Sequence, residues 1–451
     1  MKNRITILGA GESGTGAALL AQDRGYDVFV SDAAEIKPQY KESLKLQGID
    51  FEENQHTVAR ILESDLVIKS PGIPPQVPVV QQLIAADIPV IDEIEFASRF
   101  TNAKIIAITG TNGKTTTTLL TYHLLKEAGL DVTVAGNIGN CLARQLISRD
   151  YEYIVLELSS FQLDGITSFH PHIAILLNIT PDHMDRYEYN LKKYCDSKFS
   201  ITKNLTSEDH FITFTDNQLI QSGIKHHRID AVLHGISLSD EDASAFFKNG
   251  NMHFLNLTIH QDDTTLRGPH NAINTMSAIS AAKIIGIDDD LIKENLKTFK
   301  NASHRLEYVA TIDDVDFIND SKATNVDSVK YAMESFSSPL VWIAGGIDKG
   351  NNYDLIMETV NKKVKALVCL GKDNSQLREA FHNQIINLLE TDDMKTAVRS
   401  AKEYAEAHDV VLLSPACASF DLFRNYEDRG DQFKNAVLDL KDEINKKPLD
   451  R

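Results

Sequence analysis

Short apolar runs alternate with amphipathic stretches along nearly the whole chain, the pattern of parallel α/β sheets. The first unit runs from Ile5-Thr6-Ile7-Leu8 through Val28-Phe29-Val30 and Leu66-Val67-Ile68 to Val90-Ile91. A second begins near Glu95, with strands expected at Ile105-Ile106-Ala107-Ile108, Ile154-Val155-Leu156 and residues 173–177. Residues 211–266 are more polar and hairpin-like, which predicts an antiparallel excursion, and a helix is predicted over 271–284. A polar break at Lys300-Asn301-Ala302-Ser303 precedes a third unit, with strands predicted at 317–318, 340–343, 366–369 and 410–413.

The unusual polar segments fall just after these strands, where open α/β sheets bind ligands. The most telling is Thr109-Gly110-Thr111-Asn112-Gly113-Lys114-Thr115-Thr116, between an apolar strand and an amphipathic helix. Such a loop turns backbone N–H groups onto an anion, and the helix N-terminus adds its positive dipole end. Lys114 is placed to reach nucleotide phosphates and the Thr115 hydroxyl to ligate Mg²⁺. Ile108 stands where the first glycine of the full phosphate-loop pattern belongs.

Gly9-Ala10-Gly11-Glu12-Ser13-Gly14 is a second glycine turn after a strand, with Asp32 at the end of the next. Alone it is a dinucleotide fingerprint, with Asp32 on a ribose hydroxyl; the same turn holds any diphosphate, including that of a nucleotide sugar. Glu157 follows an apolar strand and could ligate a divalent ion, or simply cap a helix. His183, in Asn178-Ile179-Thr180-Pro181-Asp182-His183, is a ligand, a donor or neither. Lys198 reads on pattern alone as a surface helix lysine. In Gly268-Pro269-His270-Asn271-Ala272-Ile273-Asn274 the asparagines cap a helix or read an adenine edge. Arg305 at the domain junction suits a phosphate contact. Asn319-Asp320-Ser321-Lys322-Ala323-Thr324-Asn325 and Ser414-Pro415-Ala416-Cys417-Ala418-Ser419-Phe420 are dense in hydrogen-bonding groups and small residues.

The 451 residues suit about three domains. A formal net charge of -18 argues against a nucleic-acid partner, which needs a basic face, and requires any phosphate site to build positive charge locally. The four cysteines are far apart, with no C-x-x-C pair, so neither a disulfide framework nor a zinc site is expected. The basic-then-apolar start resembles a signal peptide but reads better as a first strand. No apolar run approaches the ~18 residues that span a bilayer, so no membrane partner is expected.

Taken together, these segments resemble the Mur ligase family of amide-forming peptidoglycan enzymes. Thr109 to Thr116 marks the wider superfamily; residues 157–163, 319–325 and 414–419 look like its D-glutamate-adding branch. The resemblance covers essentially the whole chain. It implies an α/β fold of three domains: a Rossmann-like domain at 1–94 for the UDP substrate, a phosphate-loop ATPase domain at 95–300 and a Rossmann-like domain at 301–451 for the amino acid. The implied activity is ATP-dependent addition of D-glutamate to UDP-N-acetylmuramoyl-L-alanine through an acyl phosphate, by a cytoplasmic monomer.

Residue by residue, the resemblance implies UDP contacts from Ser13, Asp32, Ser70 and Gly72. Asn137, Gln162 and His183 would meet the sugar or diphosphate. ATP would lie on Gly110, Thr111, Asn112, Gly113, Lys114, Thr115 and Thr116, with Asn271 and Asn274 near adenine and Arg305 and Asp320 beside it. Thr115 and Glu157 would hold one Mg²⁺; His183 and a carbamylated Lys198 would hold a second. Lys322, Thr324, Lys349, Ser419 and Phe420 would line the D-glutamate end. Glu12, in place of an apolar residue, and Ala33-Ala34, in place of a more polar pair, depart from the pattern. A ligase for another amino acid, a folylpolyglutamate synthase, an NAD-dependent oxidoreductase and a non-catalytic nucleotide switch are the competing readings.

Overall fold

A computed structural model describes residues 3–446. They form three sheets. The first is parallel throughout, in the order β3-β2-β1-β4-β5, from β1 (Arg4–Leu8), β2 (Asp27–Ser31), β3 (Asp50–Glu52), β4 (Leu66–Lys69) and β5 (Val90–Asp92). The chain winds one way from β1 and the other way from β4, so these two strands flank the crevice between the halves. Ser70 N–H donates to Leu8 O at 2.8 Å there. Helix Glu12–Asp23 packs so closely on β1 that a Cβ on Gly14 would lie 1.8 Å from Gly9 O.

The second sheet runs β14-β13-β12-β11-β10-β9-β6-β8-β7. Its strands are β6 (Lys104–Thr109), β7 (Val132–Gly136), β8 (Tyr153–Glu157), β9 (Ile173–Leu176), β10 (His210–Phe214), β11 (Val232–Ser237), β12 (Ala245–Lys248), β13 (Asn251–Phe254) and β14 (Leu257–His260). Parallel pairing holds from β7 across to β12, and only β12-β13-β14 is antiparallel. The predicted excursion over 211–266 is therefore narrower than the sequence suggests. Residues β6, β8 and β9 contribute are almost all fully buried, as expected for strands covered on both faces.

The third sheet runs β15-β16-β20-β17-β18-β19, with β15 (Glu307–Ile312), β16 (Val315–Asn319), β17 (Leu340–Ala344), β18 (Val364–Leu370), β19 (Asn387–Thr391) and β20 (Val410–Leu413). Only the β15-β16 pair is antiparallel. Segments 320–325, 345–350 and 414–419 leave the adjacent ends of β16, β17 and β20, and Asp320 N–H donates to Leu413 O and Gly345 N–H to Pro415 O. The chain divides into two compact units: residues up to 265 together with 272–299, and residues 266–271 together with those from 300 onward. No helix among the described residues is long and apolar enough to cross a membrane.

Within the first unit, helix Glu93–Ser98 joins the first two sheets through buried acids. The Asp92 carboxylate pairs with Lys69 at 2.8 Å. Glu95 accepts backbone N–H groups from Thr167, Ser168 and Phe169. Burial acts upward on Glu95, but the Ser168 and Thr167 hydrogen bonds prevail and hold it down to about 2. Glu93 accepts Ala143 N–H at 2.6 Å through one oxygen, while its other is buried without a hydrogen-bond partner. Burial pushes its carboxyl up to about 7.

A carboxyl raised in the folded state keeps a proton that the unfolded chain releases, so stability is lost as pH rises from the ordinary glutamate range through 7. Glu93→Gln is therefore expected to gain roughly 1–3 kcal/mol on wild type between about pH 5 and about pH 8, the two converging below about pH 4.5. Chemical denaturation across that range checks it; a pH-independent difference would contradict the buried, protonated acid.

Candidate active site

Strand β6 lies between β8 and β9, so the glycine loop that leaves it is braced from both sides. Leu158 N–H donates to Ile108 O at 2.8 Å and Leu177 N–H to Thr109 O at 3.0 Å. Asn178, just after β9, grips the loop twice: its Oδ1 accepts Asn112 N–H at 2.9 Å, and its Nδ2 donates to Asn112 O at 3.0 Å. Gly113 has φ +85° and opens helix Lys114–Glu127; a Cβ there would lie 2.3 Å from Asn274 Oδ1. Only glycine fits that position without strain, and Asn274 is thereby fixed against the loop. Lys114 Nζ donates to Gly110 O and Thr111 O, both at 2.8 Å, so its side chain curls over the loop. Thr115 is half-buried and Thr116 buried.

Lys198 overturns the reading of a surface helix lysine. Helix Leu191–Phe199, capped by the Asn190 side chain, turns Tyr194, Ser197 and Lys198 inward, and Lys198 is 2 % exposed. Its Nζ donates to Gly110 O at 2.8 Å and lies 4.7 Å from the Tyr194 ring centre. Two lysine amines thus meet at one carbonyl. Burial, and then the nearby Lys114 charge, push the Lys198 ammonium well below the ordinary lysine range. A neutral amine is the form that carbon dioxide can add to.

Glu157 ends β8 and is 2 % exposed. Asn137 Nδ2 donates to Glu157 Oε1 at 3.0 Å, while Oε2 is buried with no hydrogen-bond partner. An orphaned buried carboxylate oxygen is costly, and a cation is the partner that fits it. Among the described residues no three His, Cys, Asp or Glu side chains gather as a ready-made metal site. Any ion at Glu157 must therefore draw its remaining ligands from hydroxyls, modified side chains, water or bound phosphates.

A cavity of about 450 Å³ brings Lys114 and Lys198 together with Asn137, the partner of Glu157, while Glu157 and Thr115 do not line it. Ser13 and Gly72 line it from the first sheet. Thr111, Lys114, Asn137, Gln162, His183 and Lys198 line it from the second. Gln162 is locked by reciprocal bonds with Ser159 in a capping box. His183 is half-exposed, has φ +52° and meets Phe161 edge-on at 5.2 Å. Asp32 and Ser70 stand behind this wall: Asp32 accepts Ala10 N–H at 2.6 Å and Ala34 N–H at 2.9 Å, and Ser70 Oγ donates to Gly9 O. Glu12, the unexpected acid, also lines the cavity, and Arg144 Nε pairs with it at 3.0 Å. That ion pair offsets a carboxylate in a site otherwise suited to anions.

The second unit carries the remaining candidates. Asn271 is buried and donates to Arg267 O at 2.9 Å. Asp320 accepts Ser414 Oγ–H at 3.0 Å and Leu306 N–H at 3.2 Å, which pins the backbone beside Arg305. Burial pushes the Asp320 carboxyl up to about 7. Lys322 Nζ sits 3.6 Å over the Tyr426 ring. Thr324 is half-buried in the same turn. Lys349 and Phe420 are exposed, and Ser419 is buried.

Three family models match successive segments: the MurD N-terminal domain over 4–79, the Mur ligase middle domain over 108–282 and the Mur ligase glutamate ligase domain over 304–417. A UDP-N-acetylmuramoylalanine–D-glutamate ligase of Cytophaga hutchinsonii is 48% identical over 98% of this chain and 100% of its own length. One from Bacteroides fragilis is 48% identical over 97% and 100%. The chain belongs to the Mur ligase family. Its relatives place it in the D-glutamate ligase branch. Solved Mur ligases share the fold at low identity. A Thermotoga maritima UDP-N-acetylmuramate–alanine ligase gives a TM-score of 0.63 at 18% identity, covering 97% of this chain and 100% of the other. The T. maritima MurF ligase gives 0.62 at 14%, covering 94% and 99%. The dinucleotide reading of residues 9–14 loses its footing in this family.

Sequence reasoning passed over Asn178, Tyr194 and Arg186. Tyr194 OH lies 3.0 Å from Thr111 Oγ1 and one helical turn from Lys198, a spacing that would have signalled it. Asn178 opens a polar segment just after a strand, but its partner Asn112 lies 66 positions away, so its part as a brace was not legible. Asn178→Ala removes two hydrogen bonds to the glycine loop, about 1–3 kcal/mol in all. It is expected to weaken ADP binding roughly tenfold with a melting temperature near wild type. Calorimetric titration checks this; undiminished ADP affinity would contradict the brace.

Proposed function

We propose that the chain is an ATP-dependent ligase that joins D-glutamate to UDP-N-acetylmuramoyl-L-alanine, with ADP and phosphate as the other products. The observation that carries this reading is one cavity shared by the glycine loop's Lys114, the buried Lys198 and the Ser13 and Gly72 turns. It would act as a monomer in the cytoplasm, in peptidoglycan precursor synthesis. Residues 1–94 would hold the UDP part, 95–300 the ATP and 301–451 the amino acid.

The chemistry explains why such a cavity is needed. The L-alanyl carboxylate must approach the γ-phosphorus, attack it and become an acyl phosphate as ADP departs. Unit like charges ~4 Å apart repel by about 4 kcal/mol at an effective dielectric near 20, and the triphosphate carries several. Lys114 is positioned to unfold from its own loop carbonyls onto those phosphates. Mg²⁺, when bound, would neutralise phosphate charge and orient the transferred group; Thr115 and Glu157 would hold one ion, and His183 and a carbamylated Lys198 a second. Lys198 would serve through a carbamate: its unprotonated amine adds carbon dioxide, a proton leaves, and the amine becomes an anionic oxygen ligand. Asn137 orients Glu157, leaving its free oxygen for the metal.

Ser13, Asp32, Ser70 and Gly72 would seat the uridine diphosphate, with Asn137, Gln162 and His183 toward the sugar. Gly110, Thr111, Asn112, Gly113 and Thr116 would wrap the ATP phosphates. Asn271 and Asn274 would contact adenine, and Arg305 and Asp320 would contact ATP. Lys322, Thr324, Lys349, Ser419 and Phe420 would receive D-glutamate. Its amine would attack the acyl carbon as phosphate leaves, with the departing phosphate or a base such as His183 taking the amine's proton.

Phosphate release from ATP, measured with UDP-N-acetylmuramoyl-L-alanine and either glutamate enantiomer, tests the reading. Turnover is expected only with D-glutamate. Release independent of the amino acid, or equal for L-glutamate, would sink it.

A further inference from the structure

The walls of the cavity come from two sheets, and the substrate must span both. Two arginines of the second sheet's segments reach across it. One is Arg144, paired with Glu12 near the first glycine turn. The other, Arg186, is used by no step of the chemistry above. Its guanidinium donates to Pro71 O at 3.2 Å and to Gly72 O at 3.3 Å. The same guanidinium lies 4.8 Å from the centre of the Phe161 ring. Pro71, Gly72, Phe161 and His183 all line the cavity, and Phe161 meets His183 edge-on. One planar group therefore touches the loop of the first sheet and the aromatic that supports His183.

The surroundings reinforce that placement. Beneath residues 70–72 lie Lys69, Asp92 and Asp164, and the Arg186 charge lowers both carboxyls against the upward effect of burial. Gly165 packs so tightly on Asp92 that a Cβ would lie 2.2 Å from its Oδ2. The neighbouring Tyr187 is buried, and its hydroxyl bonds Asp164 at 3.2 Å and Ser197 at 3.1 Å, next to Lys198. The segment carrying Arg186 is thus anchored at one end to the helix of Lys198. Its other end is held to the glycine loop through Thr180 and Thr111, and the guanidinium ties the middle of the segment to the 70–72 loop. His183, Glu188 and Tyr189 in this segment have φ of +52°, +56° and +55°, a backbone that side-chain anchors must hold in place.

We propose that Arg186 is a positioning residue that sets the spacing between the 70–72 loop and His183, so that seating the sugar nucleotide on one wall fixes the reacting end on the other. Planarity matters: the fixed fork of a guanidinium spans two carbonyls while its face lies on a ring, a geometry that the point charge of an ammonium matches less well. The inference rests on the ligase reading for its substrate, but the spacing itself is a property of the free protein.

Two readouts on Arg186→Ala and Arg186→Lys test it. In the ligand-free protein, hydrogen exchange at residues 70–73 and 182–189 is expected to rise at least severalfold in Arg186→Ala, with exchange at 109–116 unchanged. In turnover, the KM for UDP-N-acetylmuramoyl-L-alanine is expected to rise about tenfold or more, with the KM for ATP within about twofold of wild type; the lysine variant should recover only part. Unchanged exchange at both segments, or equal rises in both KM values, would overturn the clamp. Should wild type itself fail to bind the sugar nucleotide, the ligase reading falls, and the exchange result alone decides the clamp.

Discussion

Two lysine amines share one carbonyl oxygen. Lys114 Nζ and Lys198 Nζ each donate to Gly110 O at 2.8 Å, and Lys198 is almost wholly buried. Two full cations in that geometry would repel strongly in a poorly screened interior. Burial resolves the conflict by depressing Lys198, whose ammonium falls well below its ordinary range. Of the two amines, the buried one at Lys198 is thus the readier to give up its proton. The rest of the site is arranged around this difference.

The fold delivers that arrangement by placing loops at adjacent strand ends. Strands β1 and β4 bring the 9–14 and 70–72 turns together, and β6, β8 and β9 bring together the glycine loop, Glu157 and Asn178. Within the first unit, helix Glu93–Ser98 and its buried acids tie the two sheets, so that Ser13 and Gly72 face Lys114 and Lys198 across one cavity. A chain carrying a net charge of -18 must build positive charge for phosphates by local means: here lysines, helix N-termini and the arginines that cross the cavity.

Much of this was legible in the sequence because it rests on local rules. The glycine loop announces itself by its glycines, lysine and threonine, and the buried parallel strands by their apolar runs. Edge strands were harder: β3 and β19 have no fully buried residue and no long apolar run. Lys198 was misread because its helix is short and polar, and the group that draws the amine inward, Gly110, lies 88 positions away. The parts played by Asn178 and Arg186 were invisible for the same reason, since each acts on backbone carbonyls or amides of distant loops. Asp32 and Gln162 were visible, yet the structure shows each also engaged in local hydrogen bonds that shape its own turn.

The central proposal is that Lys198, buried and with its ammonium held below the ordinary lysine range, takes up carbon dioxide to become a carbamate in the working enzyme. Carbon-13 NMR of protein equilibrated with ¹³C-bicarbonate tests it most directly. The account predicts one protein-attached carbamate resonance, absent from Lys198→Ala, with activity that tracks its intensity. A fully active protein without that resonance would contradict it.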